Sequence, residues 1–262
     1  MKINLSNLFR FKKKDEGLHT AEGAYIINDD TSFNALESYK AARTNIMFSL
    51  PKSEKGKIIL VSSSQPAEGK TTATINIAYT FACTEAKVIV VDCDLRKPRI
   101  HRYLKINKDI GMSNILCGFS TLDEAIQKNV MGNLDCIPAG EIPMNSTELL
   151  MSDEMTNLLD ELADRYDYIF IDTPPIMSVT DAMIIAPKCS GMILVVRQGV
   201  STYDMMDKTI EIVKRSDAKI LGFIMNCDEN SKNKYYSYKY KNYKGYLYGY
   251  RYEYSDRETD KK

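Results

Sequence analysis

The chain has 262 residues, 44% hydrophobic and 27% charged, with 35 Lys+Arg against 35 Asp+Glu. Such a length suits one α/β domain with appendages or two small domains, and the composition suits a buried core. A formal net charge of zero excludes a general electrostatic pull toward nucleic acid or acidic lipid, and the two histidines, His19 and His101, argue against a multi-histidine zinc site or a Ser–His–Asp hydrolase.

The charge is unevenly spread. Residues 1–14 carry five basic side chains and no acid, and residues 231–262 carry nine against four, so both ends are basic by about five charges. The longest apolar runs, such as residues 192–196, are far shorter than the roughly 18 residues of a membrane span. Residues 1–14 also lack a secretory apolar stretch with a cleavage site, and a cytoplasmic location is expected. Six cysteines (Cys83, Cys93, Cys117, Cys136, Cys189 and Cys227) form no CxxC pair and read as buried free thiols.

In chain order, residues 1–31 read as a basic, mostly disordered arm. Residues 32–50 read as a helix with Phe33, Leu36, Met47 and Leu50 available for packing. A strand over 57–62, a helix over 71–84 and strands over 87–91 and 134–137 follow. Asn145, with Glu148 three residues on, can cap a helix over 146–165 whose Met155, Leu158, Leu159 and Leu162 share one face. Strands over 168–171 and 191–196, a helix over 202–216 and a strand over 220–226 complete the pattern. The strand runs are continuously apolar, which suits strands buried on both faces. With helices between them, the expected fold is one doubly wound, mostly parallel α/β domain over 32–230. Residues 231–262 hold ten of seventeen tyrosines and one aliphatic, Leu247, and read as a mobile tail.

The first strand runs into Ser-Ser-Ser-Gln-Pro-Ala-Glu-Gly-Lys-Thr-Thr at 62–72, then a helix. This matches GxxxxGK[ST] except that Ser64 stands at the first glycine. Ser64, Gln65, Pro66, Ala67, Glu68, Gly69, Lys70, Thr71 and Thr72 lie where a loop and helix N-terminus cradle phosphates, and all but Pro66 offer a backbone N–H. Gly69 permits close approach, Lys70 reaches the β/γ-phosphates and the Thr71 hydroxyl can bind Mg²⁺. If position 64 required positive φ, serine there would cost on the order of 1 kcal/mol.

Two further strands end in acids. Asp92 and Asp94 project to the same side of an extended chain with Cys93 opposite, and Asp172 ends the run at 168–172 before Thr-Pro-Pro. Open parallel sheets bind ligands at strand carboxyl ends, so Thr71, Asp94 and Asp172 are candidate Mg²⁺ ligands in an Mg·ATP site. Phosphoryl transfer would then use Lys70, Asp172 and the Asp92/Asp94 pair. One of that pair would accept a phenol proton, and the residues alone leave open which. Arg96 could stabilise transferring charge or serve as an ion-pair partner.

Together these motifs resemble the bacterial tyrosine kinase family, the CpsD/CapB-like capsular and exopolysaccharide kinases, within the MinD/ParA-like branch of P-loop ATPases. The resemblance covers about residues 32–254. It rests on the phosphate loop, on Asp92, Asp94 and Arg96 as the second Walker motif, and on Asp172 and Pro175 continuing into Val179, Asp181 and Ala182. Pro138-Ala-Gly, Pro143, Asn145 and Glu148-Leu-Leu resemble the segment before the family's next helix. Glu37, Lys40 and Arg43 resemble its oligomerisation helix, with Lys at a position that is usually Arg. Asn226 resembles the strand-terminal Asn that contacts adenine.

The resemblance implies an ATP- and Mg²⁺-dependent protein-tyrosine kinase that autophosphorylates a tail cluster, here Tyr235, Tyr236, Tyr238, Tyr240, Tyr243, Tyr246, Tyr248, Tyr250, Tyr252 and Tyr254, between subunits of a ring. It further implies a transmembrane polysaccharide co-polymerase adaptor that activates the kinase from the inner face of the plasma membrane, a cognate tyrosine phosphatase, and a role in capsule or exopolysaccharide synthesis and export. No nucleic-acid partner is expected. The rival reading is a ParA/MinD-type ATPase without kinase activity, which leaves ten terminal tyrosines without a use. A second rival, a nucleic-acid-binding tail of interleaved Lys and Tyr, leaves the Mg·ATP site unexplained.

Overall fold

The computed structural model describes residues 25–226. The basic leader over 1–24, Cys227 and the whole tyrosine cluster from Tyr235 to Tyr254 lie outside the described residues. Seven strands form one sheet in the order β3-β4-β2-β5-β1-β6-β7. They are β1 (Lys57–Ser63), β2 (Val88–Asp92), β3 (Gln127–Met131), β4 (Leu134–Ile137), β5 (Tyr168–Asp172), β6 (Gly191–Arg197) and β7 (Ile220–Asn226). All pairings are parallel except the edge pair β3–β4. The doubly wound, mostly parallel sheet is therefore the observed fold.

Its central strands are covered on both faces, as their unbroken apolar runs require. One face carries α1 (Phe33–Ser49), α2 (Lys70–Ala82) and α3 (Ile100–Leu104) over Ile59, Val61, Val90 and Phe170. Phe81 of α2 stands edge-on to Phe170, with ring centroids 5.1 Å apart. The other face carries α4 (Met112–Leu116), α5 (Leu122–Ala125), α6 (Ser146–Met151), α7 (Asp153–Arg165), α8 (Asp181–Ile185) and α9 (Tyr203–Arg215) over Leu60, Ile89, Val91 and Ile171. Met155, Leu158, Leu159 and Leu162 of α7 are buried as read, each burial being worth about 1.5–3 kcal/mol.

Four readings need correction. The helix expected over 146–165 is two helices, because Ser152 adopts an extended ψ of 163° and caps α7 by accepting the Met155 amide; Asn145 caps nothing with its side chain. The end of the arm read as disordered is ordered from residue 25. Ile26 and Ile27 are buried, the Ile27 amide donates to Asn76 Oδ1 at 2.9 Å, and Asn76 Nδ2 donates to the Tyr25 carbonyl at 2.8 Å. On α1 it is Ile46 that is buried, while Phe33 and Met47 face outward. Of the five described cysteines Cys83 and Cys117 are exposed and only Cys93 and Cys136 fully buried, because the first two sit at helix C-termini rather than in strands.

Candidate active site

The strand register brings the chemistry to the carboxyl edge. Asp92 of β2 lies directly beside Asp172 of β5, and Asp172 lies opposite Val61 of β1, which leads into the phosphate loop. The loop enters α2 at Gly69, whose φ of 88° only glycine adopts without strain and whose missing Cβ would otherwise lie 1.9 Å from Asn226 Nδ2. No side chain caps α2 and no acid occupies its first turn. Its leading amides and positive dipole end therefore suit an anion. Ser64 does not have the positive φ feared for it; that strain sits at Ala67, with φ 65°. Ser64 is buried and accepts the Thr209 hydroxyl of α9 at 2.9 Å. Pro66 and Ala67 are exposed at the loop tip, while Gln65, Thr72 and Lys70 are partly buried.

Lys70 is held among the acids. Its Nζ donates to Asp94 Oδ2 at 3.0 Å and lies 3.5 Å from Asp172 Oδ2. Thr71 donates to Asp172 Oδ2 at 2.7 Å, and Thr74, one turn further along α2, reaches Asp172 Oδ1 at 3.4 Å. Burial alone would lower the Lys70 pKa; the charges of Asp172 and Asp94 outweigh that and raise it. Burial raises Asp172, with Lys70 and the Thr71 hydroxyl opposing. Burial and then Asp172 push Asp92 up to about 8, against the opposing charge of Lys70.

Asp92 and Asp94 have different surroundings. Asp92 is fully buried and its two oxygens accept main-chain amides, from Asp94 at 3.2 Å and Ile100 at 3.2 Å. Asp94 uses Oδ1 on the Lys97 amide and turns Oδ2 to Lys70.

Arg96 is engaged in an ion pair rather than directed at Lys70. Its Nε donates to Asp181 Oδ2 at 2.8 Å and its Nη2 to Asp181 Oδ1 at 3.1 Å and Thr147 Oγ1 at 2.8 Å. Asp181 is fully buried, so Arg96 neutralises it and ties β2's loop to α6 and α8. Asn226 Nδ2 donates to the Glu68 carbonyl at 3.0 Å. Of the oligomerisation candidates, Lys40 pairs with Glu37 on the same helix at 2.8 Å, and Arg43 donates to the Thr80 carbonyl of α2.

Sequence reading missed Thr74, Asp181 as the partner of Arg96, and the polar residues Arg197 and Ser201 after β6. The last two follow an apolar strand at the ligand-binding edge, which is the signal that could have marked them.

The loop fits the phosphate chain of a nucleotide, and Thr71 with Asp172 and Asp94 presents the hard oxygen ligands that Mg²⁺ takes. Residues 56–221 match the family model described as an AAA domain. Tyrosine-protein kinase YwqD of Bacillus subtilis (strain 168) is 34% identical over 226 residues, covering 86% of this chain and 94% of that one. The kinase domain of the Escherichia coli tyrosine kinase ETK superposes with a TM-score of 0.74 at 29% identity over 85% of each chain. The septum site-determining protein MinD complexed with Mg-ADP from Pyrococcus horikoshii OT3 has a TM-score of 0.57 at 26% identity, covering 67% of this chain and 72% of that one. A nucleotide-binding loop, a doubly wound sheet and relatives of nearly full length agree: the chain belongs to the bacterial tyrosine-protein kinase family, on a P-loop ATPase fold.

Proposed function

We propose that this kinase uses Mg²⁺ and ATP to phosphorylate tyrosines of its own cluster over 235–254, from one subunit to the next in a ring. The observation that carries the reading is Lys70 held between Asp94 and Asp172, beside the Thr71 hydroxyl, at the uncapped start of α2. In this role the amides opening α2 and the Lys70 ammonium bind and neutralise the phosphates. Thr71 and Asp172 would hold Mg²⁺, which when bound screens the phosphate charge, and Asp94, the third candidate ligand, is left for the proton. Asp94 takes the phenol proton. Its Oδ1 holds the Lys97 amide, but its Oδ2 is held only by the Lys70 ammonium, which the phosphates would draw away, whereas both Asp92 oxygens are committed to main-chain amides that shape the 94–100 turn. The tyrosine oxygen forms the new P–O bond as the γ-phosphorus–oxygen bond breaks, ADP departs and the proton stays on Asp94. Arg96 supports this geometry through Asp181.

Ring assembly draws on the likeness of Glu37, Lys40 and Arg43 to the family's oligomerisation helix; Asn226 is assigned to the adenine. The family likeness also supports activation by a transmembrane polysaccharide co-polymerase adaptor at the inner membrane face, reversal by a cognate tyrosine phosphatase, and control of capsule or exopolysaccharide synthesis and export. No helix among the described residues is long and apolar enough to cross a membrane. Each phosphate adds about −1.5 to −2 charges, so roughly three would reverse the basic charge of residues 231–262 and weaken their attraction to an acidic neighbour.

The test mixes a Lys70→Met full chain with a chain ending at Asn226, in the presence of Mg·ATP and an adaptor fragment. Phosphotyrosine within 235–254 of the Lys70→Met chain is expected. Label found only when Lys70 and the cluster share one chain contradicts transfer between subunits, and ATP turnover without any label contradicts self-phosphorylation.

A further inference from the structure

The phosphate loop contains a buried carboxylate of its own. Glu68 is 1% exposed and stands between Ala67 and Gly69, both of positive φ. Its Oε2 accepts the Gln65 amide across the loop at 2.9 Å, and its Oε1 accepts the Ser201 hydroxyl from the turn after β6. Ser201 Oγ also accepts the Arg197 amide at 3.0 Å, and Arg197 Nη1 donates to the Ala67 carbonyl at 2.9 Å. The Glu68 carbonyl is taken by Asn226 at the end of β7. The outer side of the loop is thus fastened to two other strand ends.

Two features of this loop are costly. Ala67 is an alanine held in the left-handed region, where its Cβ crowds the backbone, and a carboxylate beside a phosphate site repels the ligand. Such features persist where surrounding contacts over-determine them. The gain is a run in which φ changes sign from residue to residue, the backbone form that turns successive amides into an anion-binding concavity.

We propose that Ser201 is a positioning residue for nucleotide binding: through Glu68 it holds Ala67 and Gly69 in the conformation that presents the loop amides to the phosphate chain of a nucleoside di- or triphosphate. This rests on the nucleotide-binding reading of the loop. Glu68 acts by shape rather than by charge, since its two oxygens serve as fixed acceptors. The contact supports ground state and transition state alike, so its loss raises KM for ATP and leaves kcat in place.

Calorimetric titration of the full chain with ADP tests this. Ser201→Ala is expected to weaken binding about tenfold (about 1.4 kcal/mol), with the far-ultraviolet spectrum preserved in nucleotide-free buffer. Glu68→Ala should weaken it at least as much, and the double variant no further than Glu68→Ala alone, because both remove one contact. Glu68→Gln, whose Oε1 can accept the Gln65 amide while Nε2 donates to Ser201, should stay within about threefold of wild type. In kinase assays Ser201→Ala should raise KM for ATP with kcat kept. Ser201→Ala binding ADP as tightly as wild type, an additive double variant, or a fall in kcat at constant KM overturns the proposal. A wild-type chain that binds no ADP fails the underlying reading instead, so the two failures are distinct.

Discussion

Two buried carboxylate clusters occupy opposite ends of the same sheet. Near the amino-terminal end of β4, Asp135 accepts the Asn129 amide at 2.9 Å on one oxygen, and the Lys128 ammonium at 2.8 Å and the Tyr166 hydroxyl at 2.7 Å on the other. One acid meets one base, and the remaining acceptor sites are filled by fixed neighbours. At the carboxyl edge Asp92, Asp94 and Asp172 surround Lys70 alone, and burial drives Asp92 and Asp172 upward. A balanced cluster holds chain segments together; an excess of acid around one lysine at a helix N-terminus marks a place built for a cation and phosphates.

The largest expected effect is catalytic. Lys70→Met should lower tyrosine phosphorylation by at least about a hundredfold, read as initial rates at saturating ATP, with the far-ultraviolet spectrum preserved. Asp135→Ala should do the reverse. It leaves the Tyr166 hydroxyl, the Lys128 ammonium and the Asn129 amide without their acceptor, costing about 1–3 kcal/mol in a urea unfolding midpoint, while the phosphorylation rate holds.

A subtler difference concerns pH. Asp92 keeps its proton to about pH 8 in the folded chain, against about 4 when unfolded. The folded state therefore binds more protons in that window, and this group's contribution to stability falls as pH rises from about 4 to about 8, then levels off. Asp92→Asn should flatten the decline in nucleotide-free unfolding midpoint between pH 5 and pH 8; an unchanged slope would show that the pair with Asp172 carries no such burden. Smallest is a control remote from both clusters. Ser152→Ala should cost about 1 kcal/mol through the lost α7 cap and leave the rate untouched.

The parts of the molecule legible in the sequence are those with dense local signals. Strands β1, β2, β5 and β6 are unbroken apolar runs because both their faces are covered, and Gly69-Lys70-Thr71 follows the first of them as a phosphate loop must. β3 was invisible: it is a polar edge strand, Gln-Lys-Asn-Val-Met, paired antiparallel and irregular in register, with Asn129 at a φ of 53°. α6 and α7 read as one helix because the apolar spacing carries across Ser152, where one backbone angle ends the first and caps the second. Long-range pairings have no local signature at all. Arg96 finds Asp181 85 residues away and Glu68 finds Ser201 133 residues away, so the different surroundings of Asp92 and Asp94, and the fastening of the loop, emerge only from the fold.

In the proposed function the acid-rich edge around Lys70 transfers phosphate to tyrosine, while the balanced cluster at Asp135 only supports the fold. Quantifying phosphotyrosine over 235–254 after incubation with Mg·ATP and an adaptor fragment, for wild type, Lys70→Met and Asp135→Ala side by side, tests it most directly. Modification is expected in wild type and Asp135→Ala at equal rates and none in Lys70→Met. Equal modification in Lys70→Met, or its loss in a folded Asp135→Ala chain, would contradict it.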